Sequence, residues 1–227
     1  MATFALIHGG FHGGWCWDLL VPELQKRGHR AVAPDMPISD PTCGNVDYAA
    51  IVIDALDDVD DDVVVVGHSQ GGTTVPYVAA VREVAKMIYL ASAVPFPGES
   101  FAEFLVANPT FLNLEIGESD DRGCMVIAPE VARSTFFDDC PEDVAAWAIA
   151  RLRNQAPTPI AEVCSLTEFP KVPAEYIVCL DDSALNPEAC RELAHDRLGV
   201  VAREIPGSHS PFLTRPSELA DLLAALI

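Results

Sequence analysis

Short apolar strands that alternate with helix-compatible stretches predict an α/β protein. Its core is a mostly parallel, doubly wound sheet, with a helical cap inserted after the fourth strand. Three observations carry this. Val63-Val64-Val65-Val66 shows no polar alternation, as expected of a strand buried on both faces. Gly67-His68-Ser69-Gln70-Gly71 follows it directly and leads into a helix-compatible run to about Arg82. Between Phe96 and Phe169 the strand rhythm stops, yet the stretch holds seven of the ten phenylalanines and Trp147. A linker is not that aromatic. The chain therefore reads as a single domain, with a core of 1–95 and 170–227 and a cap of about 96–169.

In chain order, Thr3 to His8 is an apolar strand that ends in Gly9-Gly10. Trp15 to Arg27 reads as one amphipathic helix stopped by Gly28, and Arg30 to Pro34 as a second strand. Asp35 to Val46 is rich in proline and glycine, a loop. Asp47 is placed to cap a helix to about Val59, whose solvated end is the acidic run Asp57–Asp62. The valine strand and its helix follow, then a strand over Lys86–Leu90. Helical patches in the cap are expected at Ser100–Ala107, Pro129–Phe137 and Pro141–Arg153. The sheet resumes with Ala174–Leu180. A helix follows from Pro187 to about Leu198, stopped by Gly199. The last strand is Val200–Ile205 and the terminal helix runs from Pro216 to Ile227.

Composition narrows the function. The chain has 227 residues, enough for one sizeable core. Its formal net charge of -20 argues against nucleic acid or an anionic membrane as partner. It has no apolar run long enough to span a bilayer, and Met1–His8 lacks the basic, then apolar, pattern of a signal peptide. Seven scattered cysteines without a CxxC fit reduced, buried thiols in a cytoplasmic protein. No metal-ligand spacing or cofactor motif occurs, so neither metal nor cofactor is expected. The expected partner is a small molecule; a homodimer is left open.

The chemistry centres on Gly67-x-Ser69-x-Gly71. A serine on a strained strand-to-helix turn stands clear of the sheet, and small neighbours let the two backbones approach. A phosphate loop would need a lysine where Gly72-Thr73 stand. The backbone N–H of Gln70, at the helix start, is suited to an oxyanion. A second donor is expected from the Gly9-Gly10 loop after the first strand. A serine hydroxyl needs a base, and the base needs an acid to orient it and balance its charge. Of the six histidines, only His209 lies in a short loop after the last strand. His8 and His12 flank the oxyanion loop, and His68 adjoins the serine but points away from its hydroxyl. His29 and His195 read as surface residues. The acid should follow the preceding strand, where Asp181 and Asp182 both stand. The pocket is expected to draw on Phe11, Phe96, Phe104, Trp147 and Ser210, mostly apolar with few polar groups.

These motifs are similar to those of the α/β-hydrolase superfamily. More narrowly, the chain resembles the plant methylesterase and hydroxynitrile lyase family with its small bacterial esterase relatives. The likeness runs over nearly the whole chain. It is densest in His8-Gly9-Gly10-Phe11-His12-Gly13-Gly14-Trp15-Cys16-Trp17, in Gly67-His68-Ser69-Gln70-Gly71-Gly72 and in Gly207-Ser208-His209. Asp182-Ser183-Ala184-Leu185-Asn186-Pro187 resembles the family's acid loop, which implies Asp182 rather than Asp181 as the acid. The resemblance implies oxyanion donors at the N–H groups of Gly10 and Gln70. It also implies three functional classes: an ester hydrolase working through an acyl-enzyme, a lyase on the same triad, or a ligand-binding receptor. The family's lyases carry a threonine after the first-strand histidine and a lysine after the catalytic one. Here Gly9 and Ser210 stand there, which favours hydrolysis of a small, largely apolar carboxylic ester.

Overall fold

The computed structural model describes residues 1–115 and 117–227. Among them, six strands form one sheet: β1 (Ala2–Ile7), β2 (Arg30–Val32), β3 (Asp62–Ser69), β4 (Lys86–Ser92), β5 (Ala174–Cys179) and β6 (Arg203–Ile205). The order is β2-β1-β3-β4-β5-β6 and every pairing is parallel. All of β1 is buried, as is Val63–Val66 of β3, because helices cover both faces of a parallel sheet. β2 lies on one side of β1 and β3 on the other. The chain thus reverses its progress across the sheet between β1 and β3, the place where a crevice opens beyond the strand carboxyl ends. The loops after β1 and β3 carry Gly9-Gly10 and Ser69.

The core helices are α1 (Leu20–Lys26), α2 (Asn45–Asp54) and α3 (Val75–Val81), then α8 (Pro187–Leu193), α9 (Pro211–Thr214) and α10 (Pro216–Ala225). Several begin where a proline or a cap dictates rather than where periodicity alone suggests. The stretch expected as one helix over Trp15–Arg27 divides into a 3-10 turn at Gly14–Trp17 and α1. Pro22 is confined to a first helical turn, so α1 cannot extend far upstream of it. α2 begins two residues before Asp47, whose Oδ2 reaches back to accept the Gly44 N–H at 2.8 Å. The helix after the elbow is likewise a 3-10 turn, Gln70–Thr73, followed by α3 with Pro76 in its first turn. α8 continues into a wider turn at Ala194–Leu198, which Gly199 closes at φ +68. The last strand is shorter than the expected Val200–Ile205, and α9 is a short helix beyond the expected elements.

Among the described residues, four helices lie between β4 and β5: α4 (Phe101–Ala107), α5 (Pro129–Thr135), α6 (Glu142–Ile149) and α7 (Thr158–Ala161). The first three fall inside the expected patches and α7 does not. α4 is started by Ser100, whose Oγ accepts the Glu103 N–H while Glu103 returns a bond to the Ser100 N–H.

Candidate active site

Ser69 ends β3 at φ +53 and ψ -127, a conformation L residues rarely adopt. Such strain costs roughly 1–3 kcal/mol and persists only where the surroundings impose it. Here the neighbouring glycines allow it. A Cβ on Gly67 would lie 2.5 Å from Val75 Cγ2 and 2.8 Å from Gly72 Cα; one on Gly71 would lie 2.5 Å from the His8 carbonyl. The Ser69 carbonyl is held from β4, by Ser92 Oγ at 2.6 Å and the Ala93 N–H at 3.0 Å. Ser92 is fixed in turn by the buried Tyr176 hydroxyl, which donates to its carbonyl at 2.6 Å and accepts its N–H at 2.8 Å.

His209 and Asp182 meet in the interior. The His209 Nδ1–H donates to Asp182 Oδ2 at 2.8 Å, with both side chains no more than 2% exposed. The other Asp182 oxygen accepts the N–H groups of Ala184 and Leu185, each at 2.8 Å. That carboxylate is therefore locked in one orientation. Asp181 is used differently: its Oδ2 accepts the Gly207 N–H at 3.1 Å and ties the end of β5 to the loop after β6. His68 is fully buried, and its Nε2–H donates to the His209 carbonyl at 3.0 Å. Two exposed aspartates from the segment after α5 also hold these loops. Asp138 accepts the Ser183 hydroxyl at 2.7 Å and Asp139 the Ser208 N–H at 3.0 Å.

The loop after β1 is ordered by neutral imidazoles. Met36 N–H donates to His8 Nε2 at 3.0 Å, so the proton of His8 sits on Nδ1, which donates to the Gly9 carbonyl at 3.0 Å. In a trans peptide the carbonyl and N–H point opposite ways, so the Gly10 N–H faces away from His8. His12 Nδ1 bonds the Gly10 carbonyl at 2.9 Å. Burial lowers His8 to about 4 and His12 to about 3, so both stay uncharged at neutral pH. Gly9 has no room for a side chain: a Cβ would lie 2.9 Å from Ser69 Cβ. The loops after β1 and β3 thus touch at the serine.

Gly10, Ser69, Gln70 and His209 face a common cavity of about 100 Å3. One water needs roughly 10–15 Å3 on this scale, so the space suits a small group of a few heavy atoms. Its walls are apolar. Phe11 and Ala93 line it from the core, Phe101, Leu105, Phe111 and Phe136 from the inserted segment. Among the described residues, no Asp, Glu, Lys or Arg lines it. Gln155, fully buried, adds the one amide besides Gln70.

Of the expected pocket residues, only Phe11 lines this cavity. Phe96 is 54% exposed beside Arg197, because it sits on the outer edge of the segment. Phe104 lies one layer behind, its ring 5.9 Å from Phe101 and 5.0 Å from Phe111. Trp147 packs edge-on against Trp15 instead, with the Arg151 guanidinium over its ring. Ser210 is fully buried ahead of α9 and is not among the lining residues. Phe101, Phe111, Phe136 and Gln155 were not singled out in the sequence. The apolar pair Phe101 and Leu105, at i and i+4, was the available signal. Phe136 stacks on His209 with ring centroids 5.6 Å apart. Among the described residues, no group of three or more His, Cys, Asp or Glu could hold a metal, and no helix is long and apolar enough to cross a membrane.

A model described as the alpha/beta hydrolase family matches residues 4–222. A pyrethroid hydrolase of Sphingobium wenxiniae is 29% identical over 238 residues, covering 96% of this chain and 85% of its own. An esterase of Oryza sativa subsp. japonica is 30% identical over 251 residues, covering 97% of this chain and 93% of its own. The crystal structure of a pyrethroid hydrolase from Sphingobium faniae superposes with a TM-score of 0.82 at 25% identity, over 100% of this chain and 97% of that one. The elbow, the strand order and these likenesses over nearly full length agree, and the chain belongs to the alpha/beta hydrolase family.

Proposed function

We propose that the protein hydrolyses small, largely apolar carboxylic esters through an acyl-enzyme, with Ser69 as nucleophile, His209 as general base and Asp182 as the acid that orients it. The observation that carries this reading is the buried His209–Asp182 bond at 2.8 Å beside an apolar cavity that Ser69 also faces. Ser69 Oγ attacks the ester carbonyl carbon as His209 Nε2 takes its proton. The carbonyl oxygen becomes an oxyanion and is met by the N–H groups of Gly10 and Gln70. Collapse of this intermediate expels the alkoxide, which takes the proton from His209. Water, deprotonated by the same imidazole, then releases the carboxylic acid and returns Ser69. Asp182 stabilises the transient imidazolium without becoming protonated.

An uncharged cavity favours an uncharged acyl or alcohol group, since burying an unpaired charge there is costly. The names of the relatives, esterases and hydrolases, support ester hydrolysis over the lyase and receptor alternatives. In this reading residues 96–169 act as a cap over the strand ends, and the protein works in the cytoplasm on a small molecule. The test offers purified protein p-nitrophenyl acetate and mandelonitrile in parallel, with Ser69→Ala as the blank. Ser69-dependent ester turnover is expected, and Ser69-dependent benzaldehyde release without ester turnover would contradict it.

A further inference from the structure

We propose that the Arg153–Asp35 pair is a positioning clamp for the oxyanion loop, holding the Gly9–Gly14 backbone so that the Gly10 N–H is presented to the reacting carbonyl. The inference rests on the ester-hydrolase reading above. Four of the six residues from Gly9 to Gly14 are glycine, the residue that loses most conformational freedom on ordering. The two others are Phe11, at φ +65, and His12. A loop of this composition does not stay in one strained conformation unaided.

Its first half is tied from within by His8 and His12. Its second half is tied from outside, by residues that no step of the reaction uses. The Arg153 N–H donates to the Phe11 carbonyl at 2.8 Å and Arg153 Nη2 to the His12 carbonyl at 2.9 Å. The same guanidinium grips Asp35 with both terminal nitrogens, at 2.9 and 3.0 Å. Asp35 Oδ1 also accepts the Gly14 N–H at 2.9 Å. The contact is close enough to exclude a side chain at Gly13, whose Cβ would lie 2.6 Å from Asp35 Oδ1. Asp35 comes from the loop after β2 and Arg153 from the segment after α6. The pair therefore joins the inserted segment to the core across the oxyanion loop.

The Asp35 side chain is 57% exposed, so solvent screens the pair and it adds little to global stability. Its effect is directional. A planar guanidinium serves the carboxylate with both terminal nitrogens and still reaches a carbonyl, whereas an ammonium lacks that fixed fork. Removing one oxyanion donor costs about 10²–10³ in rate, and misaiming one should cost less.

The test compares wild type, Arg153→Met, Arg153→Lys and the neighbouring control Arg151→Met. The readouts are p-nitrophenyl butyrate kinetics, inhibition by a boronic acid that mimics the tetrahedral state, and amide hydrogen exchange over residues 9–16. Arg153→Met is expected to lose about tenfold or more in kcat with KM little changed, within the oxyanion-donor limit above. Its boronic acid affinity should fall in parallel, and exchange should quicken in that peptide. Arg153→Lys should fall between, Arg151→Met should match wild type, and melting temperatures should stay close. Unchanged kcat and unchanged exchange in Arg153→Met, with Ser69-dependent turnover intact, would overturn the clamp alone. Absence of ester turnover in the wild type would overturn both the clamp and the reading it rests on.

Discussion

The sheet core and the inserted segment contribute to the same cavity in different ways. The core supplies most of the polar groups: Gly10, Ser69, Gln70 and His209 line the cavity, and Asp182 stands behind His209, all at strand carboxyl ends. Each is fixed by short-range geometry, through glycine contacts at the elbow, two N–H bonds on Asp182 and neutral imidazoles beside Gly9 and Gly10. The segment supplies mainly apolar walls, and it also braces the core's loops through Asp138, Asp139 and Arg153. The core's contribution is thus set largely by backbone geometry, and the segment's largely by side-chain packing.

The sharpest way to break the contrast is inside the core, between two adjacent aspartates. Asp182→Asn should lower kcat by up to about 10⁴-fold, because it disturbs the tautomer and charge balance of His209. Asp181→Asn should cost less than tenfold, since an amide oxygen can still accept the Gly207 N–H. Steady-state kinetics on one ester decides between them, and the opposite ranking would move the acid to Asp181.

Acid should separate the two regions at their junction. His12 is enclosed by Phe136 and Phe137 from the segment and by Trp15 and Phe212 from the core. His8 and His12 are lowered from 6.5 to about 4 and about 3, chiefly by burial. The unfolded chain binds more protons than the folded one between about pH 6.5 and those values, so stability falls as pH drops through that window. The loss is on the order of 3 kcal/mol or more for each group, and it levels off below the folded values. Urea midpoints measured from pH 7 to 4 should fall accordingly; a flat series would contradict the neutral imidazoles.

The smallest effect is expected from the walls. Leu105→Ala should leave p-nitrophenyl acetate turnover within about threefold, while shifting the preferred acyl chain to longer esters, each added methylene being worth roughly 10–200-fold at most. A parallel loss on every chain length would mean that Leu105 does more than shape the pocket.

The same division explains what could be read from the sequence. The parallel sheet, the elbow and the choice of His209 among the six histidines follow from local rules. A valine run, Gly67-x-Ser69-x-Gly71-Gly72 and a histidine after the last strand each carry their reason within a few residues. The pocket does not. Phe96, Phe104 and Trp147 are as aromatic as Phe101, Phe111 and Phe136, and only three-dimensional packing decides which face the cavity. Gln155 and Arg153 act on residues more than 140 positions earlier in the chain, and no local pattern marks such a contact. Helix starts shift for a local reason: Pro22 and Pro76 confine α1 and α3 to shorter spans than apolar periodicity suggests.

The central claim is that the core's serine is the acylated group, and covalent labelling tests it most directly. Wild type, Ser69→Ala and His209→Ala would be treated with a serine-directed fluorophosphonate, followed by intact mass and peptide mapping, with residual ester turnover measured on each sample. A single adduct on Ser69 is expected, formed in step with loss of activity, absent from Ser69→Ala and slowed by about 10³-fold or more in His209→Ala. An adduct on another residue, or Ser69→Ala retaining full ester turnover, would contradict the assignment.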